Sequence, residues 1–344
     1  MGPFAALVLS AALSPALHTL PTPLPPHAVL TAPPPPPIVD TITYALHDAD
    51  TDTELWSVGG DTRRAMASVT KAMTALLVVE ASAPEEEVVV SATAASTGLG
   101  YVGQPQLLQG ETWTVGELVD FMMVQSGNDT STALAEHVAG SVAAFADLMD
   151  LRAADLGLEN TSYRNPHGLD QADHHQSARD LIQVGMAYID SEWLTRTSRI
   201  VGLTFFPPGR EVSIRNTNRL VGVFPGMFGI KTGDTANARQ VLLAYVDTGS
   251  QRYLSAVMGA SSHIEATKQL MAWATTSGGP RDHLLAAVAG NPEEAVLSAH
   301  ETPRLAAAGI LPDGSSSAGA PTPAEEQVVV QLAELLPVVL GGTR

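Results

Sequence analysis

Strand-forming residues gather at two places far apart in this chain, so any sheet they share must close across a long helical stretch. The first place is "ITYALHDADTDTELWSVGGD", two β-rich runs around an acidic turn that predict a hairpin from Ile42 to Val58. The second lies around and after Phe228, where "MFGIKTGD", "RQVLLAYVDTG" and "RYLSAVMGAS" give strand signals separated by glycine and polar turns. There "HIEATKQLMAWAT" closes as a helix. Between the two, from Thr114 to Tyr188, "TVGELVDFMMVQS" and "TALAEHVAGSVAAFADLMDLRAADLG" carry apolar residues three and four apart, the period of a helix with one buried face. The expected fold is α/β of the α+β type. An antiparallel sheet drawn from both ends packs on a helix at 67–80 and on the terminal helix, with a mainly helical lobe to one side.

The flanks have a different character. Residues 1–19 hold an apolar run, Phe4 to Leu13, that matches the hydrophobic region of a secretory signal but lacks a basic flank and is too short to span a bilayer. Residues 20–37 are dense in proline and predict a stiff, extended spacer. The folded unit is expected at 38–278, and 279–344 reads as an Ala/Pro/Gly-rich tail. Its last apolar run, Val328 to Leu340, is interrupted by Gln331, Glu334 and Pro337, which predicts a short amphipathic helix that meets a membrane or a partner rather than crossing a bilayer. Export from the cytoplasm is the expected destination.

Acidic residues outnumber basic ones 36 to 18, a formal charge of -18 that argues against an electrostatic grip on nucleic acid. There is no cysteine, so a thiol nucleophile, a disulfide and a thiolate zinc site are all excluded. Any nucleophile is an oxygen or an amine. In "ASVTKAMTALLVVE" Ser68 stands three residues before Lys71, and on a helix that spacing puts both side chains on one face within reach of each other. Burial disfavours the charged amine, and a second ammonium at Lys231 lowers its proton affinity further, so Lys71 can take the serine proton without a histidine. Alone, Ser-x-x-Lys is more often a cap followed by a surface lysine. Two companions change that: "SGN" at Ser126 to Asn128 and "KTG" at Lys231 to Gly233, in that order and widely spaced.

With these motifs stand "VQSGNDTSTALAEHVAGS", "LGLENTSYRNPHGLD", "HHQSARDL", "RNTNRL" and "GIKTGDT". Together, in this order, the segments resemble the serine-type D-alanyl-D-alanine carboxypeptidases, low-molecular-mass penicillin-binding proteins of the β-lactamase-like superfamily. The resemblance covers 38–278 as the catalytic domain and implies the penicillin-binding transpeptidase-like fold. It implies removal of the terminal D-alanine from peptidoglycan stem peptides ending in D-Ala-D-Ala, through an acyl-enzyme on Ser68. β-Lactams are then covalent inhibitors, and neither cofactor nor metal is needed. By the same resemblance Ser126 relays a proton to the leaving amine and Asn128 holds a substrate amide. Lys231 and Thr232 receive the terminal carboxylate, and Gly233 removes a Cβ from the substrate's path. The backbone N–H of Asp234 completes an oxyanion hole begun at the helix N-terminus beneath Ser68.

Several residues carry a plainer reading. His167, His174 and His175 lie near Asp170, Asp173 and Asp180 but lack the one-turn spacing of a helical zinc motif, so they are expected to be structural. Asn216 to Asn218 reads as a turn or strand end, and Phe205 and Phe206 as packing or a loop tip. Asp234 and Arg239 depart from the family pattern, which more often has an uncharged or aromatic residue and a glycine there. Arg215, Arg219 and Arg239 are the candidates for a basic partner to Thr232. Two other functions fit the same fold. A β-lactamase needs a carboxylate to activate water, and "NPHGLD" offers no glutamate; a catalytically impaired protein that only binds wall peptides or β-lactams would tolerate both departures.

Overall fold

In "RQVLLAYVD" alternate residues go to opposite faces of a strand, and here both sets are apolar, so a sheet around it must be covered on both sides. The structure, a computed structural model describing residues 36–98 and 105–276, bears this out. The signal-like segment, nearly all of the proline-rich spacer and the C-terminal tail lie outside the described residues. In chain order the elements are β1 (Thr43–Asp48), β2 (Thr53–Val58), α1 (Lys71–Ala81), β3 (Glu87–Val89), α2 (Ala92–Thr97), β4 (Thr112–Thr114), α3 (Val115–Gln125) and α4 (Asn128–Ala139). There follow α5 (Val142–Asp155), α6 (Ala178–Ile189), α7 (Glu192–Ser198), β5 (Gly202–Phe205), β6 (Val212–Arg215), β7 (Met227–Thr235), β8 (Arg239–Asp247), β9 (Arg252–Ala260) and α8 (His263–Thr275).

Five strands form one antiparallel sheet in the order β2-β1-β9-β8-β7. The early hairpin joins the late strands through β1 and β9, where Thr43 pairs with Met258 and Asp48 with Tyr253. On β8, Leu242, Ala244 and Val246 face α8 with Leu46, Tyr253 and Met271, while Val241, Leu243 and Tyr245 join the larger core with α1, α3 and α6. β7 is an edge strand, so one row of its main-chain groups is free of sheet partners.

α1 is expected to be buried because it is apolar on every side, and Lys71 to Leu76 and Val78 are indeed buried. The helix at 67–80 differs in one respect: Ala67–Thr70 is a 3-10 turn and the α-helix begins only at Lys71. Ala67 there has φ +51°, a left-handed conformation that costs a non-glycine residue on the order of 1 kcal/mol or more. α3 opens with the capping box that "TVGE" spells, Thr114 accepting from the Glu117 N–H and Glu117 accepting from the Thr114 N–H. It ends at Ser126, again left-handed at φ 71°, and Asn128 begins α4 two residues later. The "SGN" motif is therefore the sharp turn between two buried helices. Phe205 is packing, with its ring against Trp113 and Phe121, and Phe206 is exposed.

The loop "NPHGLD" braces the Ser68 turn from outside. Asn165 shapes it by accepting from the His167 and Gly168 N–H groups and donating to Leu169 O, and Thr74 donates to Pro166 O. Asp170 ties the loop to the β7–β8 turn by accepting from Thr235 Oγ1 at 2.8 Å. Gly168 has φ +89°, and a Cβ there would stand 1.9 Å from Ala67 O. Gly168→Ala is expected to destabilise the protein by about 2–4 kcal/mol, combining left-handed strain with the clash. Gly157→Ala, at φ +71° with nothing within 4 Å, should cost only about 1 kcal/mol. Denaturant unfolding of both variants checks the difference, and equal losses would show that the contact with Ala67 does not matter.

Candidate active site

Lys71 is 0% exposed, and its Nζ lies 2.9 Å from Ser68 Oγ, 2.8 Å from Asn128 Oδ1 and 2.6 Å from His167 O. As an ammonium it donates to all three. A neutral amine has two N–H groups and one lone pair, and two of the neighbours, Asn128 Oδ1 and the His167 carbonyl, can only accept. They take the two hydrogens, the lone pair is left toward Ser68, and the serine hydroxyl becomes the donor. Proton transfer from Ser68 to Lys71 therefore needs no rearrangement.

The surroundings of Lys71 weaken its charged form. Burial holds the Lys71 amine well below the ordinary lysine range, the Lys231 charge pushes it further down, and Asp129 acts in the opposite sense. Lys231 is 1% exposed, donates to Thr232 O at 3.1 Å, and is lowered by burial to about 7. Neither lysine lines the pocket, and each bonds to residues that do.

Ser68, Ser126, Asn128, Thr232, Gly233 and Asp234 line a single pocket. The six predicted residues at its surface thus come from the 3-10 turn, the α3–α4 turn and the edge strand β7. The structure gives a reason for glycine at 233 that the sequence did not. An added Cβ would stand 2.8 Å from both Ala67 Cβ and Ser68 N, so Gly233 lets β7 press against the Ser68 turn. Asp234 is exposed at the pocket edge, with its carboxylate acting on the ring of His263. None of Arg215, Arg219 and Arg239 lines the pocket. Arg239 has φ 58°, which explains why a glycine suits that position.

Three contributors were not predicted. Thr217, in the segment expected to be a turn or strand end, lines the pocket and its Oγ1 lies 2.6 Å from Thr232 Oγ1. The "NTN" segment is therefore part of the site. His167 contributes its carbonyl to Lys71, a backbone role that no side-chain pattern announces. Asp129, next to the "SGN" motif, is 2% exposed and also lines the pocket; its signal was a carboxylate placed on a helix otherwise buried at its start.

The histidines act as structure. His174 accepts from the Arg164 N–H at Nδ1, which leaves the proton on Nε2, 3.0 Å from Thr70 Oγ1; Thr70 in turn donates to Ala67 O. Burial lowers His174 to about 4, and burial with the Lys71 charge lowers His167 to about 3, so both are neutral near pH 7. Among the described residues no group of three or more His, Asp or Glu side chains is arranged to hold a metal ion.

The family model for D-alanyl-D-alanine carboxypeptidase matches residues 30–262. The chain is 36% identical over 231 residues to the D-alanyl-D-alanine carboxypeptidase DacF of Bacillus subtilis, covering 65% of this chain and 59% of that protein. It is 32% identical over 254 residues to DacA of Escherichia coli, covering 69% of this chain and 61% of the relative. It thus spans about three fifths of the length of these curated relatives. Among solved structures, penicillin binding protein 5 from Haemophilus influenzae matches with a TM-score of 0.65 at 29% identity, over 70% of this chain and 72% of that one. The Streptomyces DD-transpeptidase shares the fold, with a TM-score of 0.66 at 23% identity over 70% of this chain and 98% of that chain. With a half-buried serine beside a buried lysine under an edge strand, and with this model matched over most of its folded part, the chain belongs to the D-alanyl-D-alanine carboxypeptidase family.

Proposed function

We propose that this chain is a serine D-alanyl-D-alanine carboxypeptidase that removes the terminal D-alanine from peptidoglycan stem peptides and is acylated by β-lactams. The observation that carries the reading is the Lys71 amine, buried, held between two pure acceptors and 2.9 Å from Ser68 Oγ. A substrate ending in D-Ala-D-Ala lies along β7, adding to the open edge of the sheet. Ser68 Oγ attacks the carbonyl carbon of the penultimate residue while its proton passes to Lys71. The oxyanion is met by the backbone N–H groups of Ser68 and Asp234, which the contact of Gly233 with the Ser68 turn keeps side by side. Collapse breaks the C–N bond, D-alanine leaves with a proton relayed through Ser126, and Lys71 returns to activate the water that frees Ser68. Asn128 holds Lys71 and receives a substrate amide; Thr232, with Lys231 behind it, receives the terminal carboxylate, and Thr217 steadies the Thr232 hydroxyl.

A wall substrate places the reaction outside the cytoplasm, in keeping with the apolar start of the chain. Among the described residues no helix is long and apolar enough to cross a membrane, and the C-terminal apolar run is not among them. The β-lactamase alternative has less support. Among the described residues the carboxylates that line the pocket are Asp129 and Asp234, and Asp129 has both oxygens engaged by backbone N–H groups.

Ser68→Ala is expected to abolish covalent labelling by penicillin, read as the mass of the intact protein. Lys71→Ala should slow acylation by roughly a hundred to ten thousand-fold while the protein still melts cooperatively. Labelling that survives in Ser68→Ala would refute the nucleophile. The pH dependence has a defined sign. Activity needs Lys71 neutral, which gives a limb that rises with pH, and needs Lys231 charged toward the carboxylate, which gives a limb that falls as pH passes about 7. The kcat/KM profile of a peptide ending in D-Ala-D-Ala should therefore be bell-shaped. The same peptide with its terminal carboxylate amidated should lack the alkaline fall; an identical fall in both would remove Lys231 from carboxylate binding.

A further inference from the structure

The pocket contains one buried carboxylate to which the reaction above gives no task. Asp129 stands in the first turn of α4, directly after Asn128, with 2% of its surface exposed. Oδ2 accepts from the Leu107 N–H at 2.8 Å, and Oδ1 accepts from the Thr130 N–H at 2.8 Å. The backbone at the end of α2 comes so close that a Cβ on Gly98 would stand 2.8 Å from Oδ2. Gln106 Nε2 donates to Gly98 O at 2.6 Å, so Gly98 and Leu107 are held as neighbours around the carboxylate. Gly98, Pro105 and Gln106 form one wall of the pocket, and Ser126 to Asn128 form the turn beside it.

We infer that Asp129 is a positioning residue of the active site: its carboxylate fastens Gly98 and Leu107 to the Ser126–Asn128 turn and sets a negative charge directly beside the residue that holds Lys71. This rests on the proposed serine–lysine reaction. The two halves of the role share a geometry. Burial raises the proton affinity of the Asp129 carboxylate, and backbone N–H groups and the Lys71 charge oppose that rise; those N–H groups belong to Leu107 and to the helix that carries Asn128. Asn128 is in turn an acceptor for Lys71.

Four ionisable side chains bear on the amine or lie close by. Lys231 on β7 opposes a second positive charge, and Asp129 on α4 favours it. His167 on the bracing loop and His174 beyond it both feel the Lys71 charge and are neutral near pH 7. Asp129 is therefore the counterweight to Lys231. Without it Lys71 gives up its proton at lower pH, gaining availability as a base in acid but becoming a weaker one.

The chain has only three lysines, Lys71, Lys231 and Lys268, and Lys268 is exposed on α8. Protein labelled with ¹³C at lysine Cε thus gives three resonances, with Lys268 as an internal control. Asp129→Asn is expected to move the Lys71 titration to lower pH, and the acidic limb of acylation by penicillin should move with it. Asp129→Glu, which keeps the charge, should leave both nearer the wild-type position. Asp129→Ser serves as the neutral variant if the asparagine form does not melt cooperatively. A neutral variant whose rate falls equally at every pH, with the Lys71 resonance titrating as in the wild type, would overturn the inference and leave Asp129 a brace only. If the wild-type protein is not labelled by penicillin the reaction itself fails, while the lysine titration still decides whether Asp129 acts on Lys71.

Discussion

A lysine amine with no access to water is the constraint on which the rest of this structure depends. Taking an ammonium out of water costs several kcal/mol even after relaxation, unless acceptors replace the lost solvent or the proton leaves. Both remedies are present at Lys71, which is surrounded by oxygens of Ser68, Asn128 and His167 and held below its ordinary proton affinity. Those oxygens come from three separate segments, so the amine acts as a knot between the 3-10 turn, the start of α4 and the "NPHGLD" loop. The apolar sides of α1 make the knot possible by excluding water around it.

Two of the five non-glycine residues with positive φ among the described residues stand at this place. Ala67 and Ser126 are non-glycine residues with positive φ, and each stands at or beside a residue proposed to act in the reaction. Conformations of this kind persist where packing over-determines them. At Ala67 the packing is visible, with Gly168 on one side and Gly233 on the other, both close enough that a methyl group would collide. Neutral His174 closes the arrangement through Thr70, whose hydroxyl bonds to Ala67 O.

Much of this was legible in the sequence. The hairpin, the three late strands and the terminal helix were visible because alternation and turn residues mark strands locally, and the helical lobe because its period is sustained. Ser68, Lys71, Ser126, Asn128 and Lys231 were legible through motif spacing. What escaped depended on contacts between distant segments. The 3-10 start of the Ser68 helix follows from pressure by Gly168 and Gly233, which no local propensity encodes. Thr217 looked like a turn residue because its segment is one, and its place in the pocket is decided by where β7 passes. The His167 carbonyl has no sequence signal, since every residue carries a carbonyl. The contact of Gly233 with the Ser68 turn has no sequence signal, because its neighbour is a distant part of the chain.

The sheet that carries the edge strand has a consequence for how the molecule comes into being. β1 lies between β2 and β9, and its partner along Thr43 to Asp48 is Tyr253 to Met258. A chain made from its N-terminus leaves the inner edge of that first hairpin bare until almost the whole folded unit exists. Such long-range closure is slow, and an unpaired strand edge is open to other chains in the interval. The same delay keeps the chain threadable, because no prefix ending before β9 can complete the sheet. In this architecture the last strand locks the first.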